Sequence, residues 1–264
     1  MSALRIAIPT RLFAVPLAEA IEQAATAGVQ GIAIDLRRDL PPDLSDSGVR
    51  ELRHMIGEFG LEIATTEFPL RHRLTERDHL DERVAGLLRG IETAASLGAK
   101  SITIPVGRLP RLDDAAKSEA DLFREIVGDL SARGDHIVVT PVVRPADSDL
   151  DQIAAAVDGF EHAPVGLELD VAALTLFDQS VDGAVRRFHD RLELIRVRDA
   201  TRAGDGSVVE TSVGRGEVDW PAAVAALAEV GYTGWQLVDH HDVGPQAVVE
   251  AVRAITFLHN VAYG

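Results

Sequence analysis

Glu168 and Asp170 lie two apart in Gly166-Leu167-Glu168-Leu169-Asp170, and Arg196 and Arg198 lie two apart in Ile195-Arg196-Val197-Arg198-Asp199. Both segments read as β-strands, in which residues two apart face the same way. Carboxylates and guanidiniums that meet on one face form bidentate ion pairs and can hold a small anionic or polyhydroxylated molecule. Asp239-His240-His241-Asp242 is a second cluster. Asp170, Asp239 and His241 would offer a divalent cation two oxygens and a nitrogen if the strand before them continues far enough. The plainer reading of His240 and His241 is as polar loop residues. Glu67 is a candidate acid or base, against the reading of a solvated loop acid. Arg144, Arg198 and Arg215 are candidate contacts for a sugar acid or sugar phosphate. In a chain with 42 acidic residues, internal pairing competes with that role, and for Arg71 and Arg73 it is favoured. Trp220 and Trp235 read as packing residues.

The elements that would position these groups alternate along the chain. Short apolar, β-branched runs at Arg5–Ile8, Gly31–Asp35, Leu61–Thr66, Ser101–Pro105, His136–Val142, Val165–Asp170, Leu192–Val197 and Gly234–Asp239 read as strands. Stretches with helical periodicity follow each of them, over about 16–27, 48–59, 80–97, 113–132, 148–157, 181–189, 220–229 and 244–259. Gly28 and Gly98 stand where helices commonly stop. Strict alternation implies parallel strands with right-handed crossovers, and eight such units close a barrel. The predicted fold is α/β, a single (β/α)8 TIM barrel domain over residues 1–264, with an open doubly wound sheet as the alternative. No Gly-x-Gly-x-x-Gly follows the first strand, which disfavours dinucleotide binding. The segments after the third strand (67–79) and the seventh (199–218) are long enough to act as lids, on the face where such barrels carry their sites.

Composition narrows the function classes. The formal net charge of -16 disfavours DNA or RNA as a partner. No window has the apolar length of a membrane span. The absence of cysteine excludes disulfides, thiolate metal sites and cysteine nucleophiles. With no basic head and long apolar stretch at the start, the expected compartment is the cytoplasm.

Several segments carry a family resemblance. Gly166–Asp170 resembles a strand-six segment ending in a metal-binding Asp, and Ile195–Asp199 resembles a strand-seven segment that is commonly His-x-Lys-Asp. Val213-Gly214-Arg215-Gly216-Glu217-Val218-Asp219-Trp220 is similar to a Gly-x-Gly-x-x-Asp-Trp segment. Gly231-Tyr232-Thr233-Gly234-Trp235 resembles the run before strand eight, and Ala94–Ala99 a helix-three ending. Together, and in this order, they resemble the xylose isomerase-like barrels of sugar isomerases, epimerases and related endonucleases. The resemblance implies one divalent cation held by Glu, Asp, His and Glu at the ends of strands five to eight. In the epimerase-like members it also implies two Glu that move protons on opposite faces of the substrate. Matched position by position, the strand-five Glu falls at Thr140, the Asp at Asp170, a following His at Ala173, the strand-seven His at Arg196 and the strand-eight Glu at Asp239. A guanidinium has no lone pair for a metal. Thr140 and Arg196 therefore disfavour a Mn, Mg or Zn ion at the family site, and Asp170, Asp239 and His241 are the residues to hold one if it binds. Arg196 is expected near the vacated position, paired with Asp170, Asp239 or Glu168, and able to stabilise an enediolate oxygen. The resemblance implies an isomerase or epimerase of a small sugar, sugar acid or keto acid, with Asp170, Arg196, Asp239 and Glu67 as catalytic candidates and Arg198, Arg215, Thr140, Glu168 and Arg144 as substrate contacts. The alternative is a non-catalytic or metal-independent member that binds a small anionic or polyhydroxylated ligand. An endonuclease is disfavoured by the charge and by the altered ligand set. An oligomer of identical chains is compatible with the resemblance.

Overall fold

The structure is a computed structural model that describes residues 4–109, 117–146, 148–160 and 165–264. Eight strands close into a barrel: β1 (Arg5–Pro9), β2 (Gly31–Asp35), β3 (Glu62–Glu67), β4 (Ser101–Gly107), β5 (Thr140–Pro145), β6 (Gly166–Asp170), β7 (Leu192–Val197) and β10 (Trp235–Val238). Their order around the barrel is β1-β10-β7-β6-β5-β4-β3-β2. Between β7 and β10 the chain makes an antiparallel hairpin, β8 (Asp199–Arg202) and β9 (Val208–Thr211), paired from Asp199↔Thr211 to Arg202↔Val208. The helices are α1 (Leu17–Thr26), α2 (Asp46–Glu58), α3 (Leu80–Leu97), α4 (Lys117–Ile137), α5 (Leu150–Val157), α6 (Val171–Leu176), α7 (Val181–Phe188), α8 (Trp220–Glu229) and α9 (Pro245–Tyr263). Among the described residues no helix is long and apolar enough to cross a membrane.

The chain divides into two compact units, one of Met1–Ala33, Met55–Glu62 and Leu169–Gly264, the other of Ile34–His54 and Ile63–Glu168. In the first, β1 pairs in parallel with β2 through Ala7↔Gly31 and with β10 through Arg5↔Trp235, and β10 pairs with β7 through Leu237↔Arg196. Its strands bury Ile6, Ile8, Ile195, Val197, Leu237 and Val238. Continuous apolar runs of this kind are expected where helices cover a parallel sheet. In the second unit, β4 pairs with β3 and β5, and β5 with β6 through Val143↔Leu167. Ile102, Ile104, Val142, Val143 and Leu167 are buried there. Thr65 and Thr103 sit among them with their hydroxyls 3.2 Å apart, so each polar group is satisfied inside the core.

Helix starts follow their caps. Asp149 and Gln152 form a reciprocal capping box on α5. Asp219 caps α8 ahead of a proline in its first turn. Asp170 caps α6 by accepting from the Ala173 amide at 3.2 Å.

Two sequence expectations are corrected. The run His136–Val142 was expected as one strand, but α4 runs on to Ile137 and β5 begins at Thr140. The chain reverses at Val138, which is left-handed (φ 58°) and exposed, while the Val139 amide bonds back to the Gly134 carbonyl at 2.9 Å. Helix termination geometry overrides the β preference of Ile137, Val138 and Val139. The expected start of that helix, near Asp113, lies outside the described residues. Residues 199–218, the long connection after the seventh strand in which no strand is expected from the sequence, contain the β8–β9 hairpin.

Candidate active site

In the first unit, charged groups gather where β6, β7 and β10 end. Asp239 directly follows β10. Arg196, on β7, is 1% exposed and donates Nη1 to Asp239 Oδ2. Arg11 lies in a short 3-10 turn, Thr10–Phe13, that follows β1. It donates Nη2 to both Asp239 oxygens and Nη1 to the His240 carbonyl at 3.1 Å. Asp239 is therefore clamped by two guanidiniums, and its Oδ1 also accepts from the His240 amide at 2.8 Å. Burial pushes the Asp239 carboxyl up, but Arg196 and Arg11 more than offset this and hold it below the usual carboxylate range.

Asp170, the last residue of β6, is gripped by Arg198, whose Nε and Nη2 both donate to Oδ2, the former at 3.1 Å. Arg198 Nη1 stands 3.7 Å from Glu210 on β9, and the arginine side chain keeps 30% of its surface exposed. Burial works against its charge, yet Asp170, Asp239 and Glu210 hold it protonated more firmly than free arginine. Glu210 also accepts the His241 amide at 2.7 Å and lies 3.6 Å from His240 Nδ1. β10 stops at Val238, so His241 is not on a strand with Asp239, and it is exposed.

A separate device holds the segment after β7. Asp199, 1% exposed, accepts from five N–H groups: the amides of Ala200 (3.0 Å) and Val218 (3.3 Å) at Oδ1, and those of Gly214 (2.9 Å) and Gly216 (3.1 Å) with the Trp220 indole (2.9 Å) at Oδ2. A Cβ at Gly216 would run into this carboxylate, which explains the glycine. Arg215, between the two glycines, is exposed. Trp220 and Trp235 are both buried.

In the second unit, Arg144 Nη1 stands between two carboxylates, 3.6 Å from Glu67 Oε1 and 3.7 Å from Glu168 Oε1. Glu67 ends β3, Arg144 is the penultimate residue of β5, and Glu168 is fully enclosed on β6. The Arg144 side chain is 28% exposed. Asp35, at the end of β2, has its carboxyl raised by burial and by neighbouring Asp39 and Glu67, against the opposing pull of the Arg37 and Arg38 amides. Thr140 opens β5 opposite Ser101, which opens β4. It stands at the amino end of the strand, so the carboxyl-terminal position expected for it belongs to Arg144. Arg73 pairs with Glu119 at 3.7 Å, as internal pairing predicts, and Arg71 is exposed.

A family model described as a xylose isomerase-like TIM barrel matches residues 21–259. The chain belongs to that family. A search of curated proteins gave no match. Among solved structures, a xylose isomerase domain protein from Planctomyces limnophilus superposes with a TM-score of 0.84 at 17% identity, covering 98% of each chain. A D-psicose 3-epimerase with D-tagatose, from Clostridium cellulolyticum H10, gives 0.81 at 16% identity, covering 98% of this chain and 99% of that one. The IOLI protein with a zinc atom gives 0.79 at 18%, covering 98% of each. At these identities the likenesses show the fold.

The residues of this xylose isomerase-like chain do not fit the divalent cation that the family resemblance implies. Arg144 and Arg196 lie on β5 and β7, the strands from which a carboxylate and an imidazole would come. Asp239 and Asp170 are present but engaged by arginines. Among the described residues no group of three or more His, Asp and Glu is arranged to hold an ion.

Sequence reasoning brought out Asp170, Arg196, Arg198 and Asp239, which the structure gathers in one unit. It also brought out Glu67, Arg144 and Glu168, which the structure gathers in the other. It missed Arg11, Glu210 and the role of Asp199. Arg11 was findable, because it lies just past the carboxyl end of the first strand, where barrel sites are built. Glu210 was hidden in a segment read as loop.

Proposed function

We propose that this chain is an isomerase or epimerase of a small polyhydroxylated or keto-acid substrate, with Glu67, Arg144 and Glu168 as its proton-handling group. The observation that carries the reading is the pair of carboxylates within 3.6 and 3.7 Å of one guanidinium nitrogen. Moving a proton beside a carbonyl needs a base, an acid and a charge to stabilise the enediolate oxygen. Glu67 is the base in this reading and Glu168 the acid, or the reverse for the opposite stereochemistry. Arg144 is the electrophilic partner, because its guanidinium is permanently charged and its side chain is partly exposed. Arg196 is engaged by Asp239 and in this reading positions that carboxylate instead of meeting substrate.

The test is solvent exchange. The protein is incubated in D2O with a panel of ketoses, aldoses, sugar acids and keto acids, and deuterium at the carbon beside the carbonyl is read by proton NMR. At least one substrate should exchange, and Glu67→Gln and Glu168→Gln should each slow it by about 10²–10⁴-fold. No exchange with any member, in protein shown to be folded, refutes the reading. A second reading, a binding barrel without turnover, is favoured by the mutual engagement of Arg196 and Asp239. It predicts ligand-induced stabilisation with no exchange.

A further inference from the structure

The two carboxylates retained from the family's ligand set, Asp170 and Asp239, are both met by side-chain cations. Arg11 and Arg196 clamp Asp239, and Arg198 grips Asp170 through two of its nitrogens. With Glu210 3.7 Å from Arg198, three guanidiniums balance three carboxylates. Within this set the formal charges cancel. An incoming cation would meet three fixed positive charges, while His241 lies exposed beyond the end of β10 and His240 Nδ1 accepts the Asp242 amide at 3.0 Å. A guanidinium also reproduces what a bound ion does for the fold: it neutralises carboxylates brought together at the ends of parallel strands, and it does so with directional bonds.

We propose that this network is a built-in replacement for the divalent cation, so that the protein keeps the end of its barrel assembled with no metal bound. The inference stands apart from the roles given to Glu67, Arg144 and Glu168 and survives if those fail.

Elemental mass spectrometry on the purified chain should find far less than one equivalent of Mn, Co, Zn, Fe or Mg. Its melting temperature should be the same with EDTA as with each ion in millimolar excess. One equivalent of a retained metal overturns the proposal. So does a rise with any one ion of about 5–10 °C, the shift expected for a chain of this size at a hundredfold excess over Kd. Asp239→Asn supplies a second readout of opposite sign. In a metal site it would remove a ligand and abolish an ion-induced shift. Here it would remove the carboxylate that the enclosed Arg196 and the part-exposed Arg11 share, so sulfate at constant ionic strength should raise the melting temperature of the variant more than that of the parent. An equal sulfate response in the two proteins counts against the clamp. If the variant does not fold, the metal content and ion response of the parent still decide.

Discussion

Asp199→Asn isolates what one buried charge does for this fold. The substitution keeps the shape of the side chain and replaces one oxygen by an amine. Oδ2 accepts three N–H groups and Oδ1 accepts two. Asparagine will therefore keep its oxygen toward Gly214, Gly216 and Trp220 and turn its amine toward the amides of Ala200 and Val218. Those two buried donors lose their acceptor, at about 1–3 kcal/mol each. Relief of the carboxylate's own desolvation offsets part of this. A net loss of about 2–4 kcal/mol follows from these terms. For a chain of this size that lowers the melting temperature by about 4–16 °C. The assay is thermal unfolding followed by near-ultraviolet circular dichroism, in which the indole of Trp220, one of only two tryptophans, reports locally. Asp199→Ala should fall further, because all five donors are then left without the carboxylate. A drop below about 1 °C for Asp199→Asn, well outside the range just worked, would mean that water replaces the carboxylate at little cost and that it is not what holds the segment.

Three further outcomes follow from the same geometry. Arg196→Ala should destabilise the protein by about 3 kcal/mol in urea titration, the low end for a broken buried pair because Arg11 remains on Asp239; a loss under about 0.5 kcal/mol, typical of an exposed site, contradicts the enclosed pair. The carboxyl of Asp239 is depressed in the folded state from a usual 3.8, so its contribution is complete above that value and is lost as pH falls through the folded one; Arg11→Gln removes one of the two depressing charges and should move the acid unfolding midpoint to higher pH, which acid titration by circular dichroism measures. Gly216→Ala should destabilise the segment between β9 and α8, seen as faster amide exchange at Gly214 and Val218, because the new methyl and the Asp199 carboxylate cannot share the space; unchanged exchange would show that the backbone there yields easily.

The barrel was legible because strand and helix periods alternate without interruption, and seven of the eight strands lie within a few residues of their expected places. The exception is instructive. Ile137, Val138 and Val139 carry strong strand preference, yet two lie at the end and reversal of α4, where Gly134 accepts the returning amide. That residue-level conflict moved the site position on β5 from Thr140 to Arg144. It turned an expected neutral hydroxyl into a guanidinium between two glutamates. Helix α6 was not legible either: six residues are too few to show a period, and the helix depends on the Asp170 cap. Side-chain alternation placed Asp170 on one face of its strand and Arg196 with Arg198 on one face of the next, and left Asp170, Asp239 and Glu168 as alternative partners for Arg196; the structure pairs Arg196 with Asp239 and Arg198 with Asp170. Alternation could not bring in Arg11, whose partner lies 228 positions away. Pairings at that separation are decided by the closure of the sheet, which a local pattern does not encode.

The Asp199 carboxylate has no side-chain cation among the described residues; its charge is met by peptide and indole N–H dipoles. Dissolved ions cannot substitute for such partners, and they do not reach a group this enclosed. Exposed pairs such as Arg186 with Asp182 and Glu229 are open to screening, which shortens to a Debye length of about 3 Å at 1 M salt. Raising ionic strength should therefore loosen the surface helices before the Gly214–Trp220 segment. The order in which parts of this molecule come apart in brine is set by what kind of partner each charge has, and not by how many charges there are.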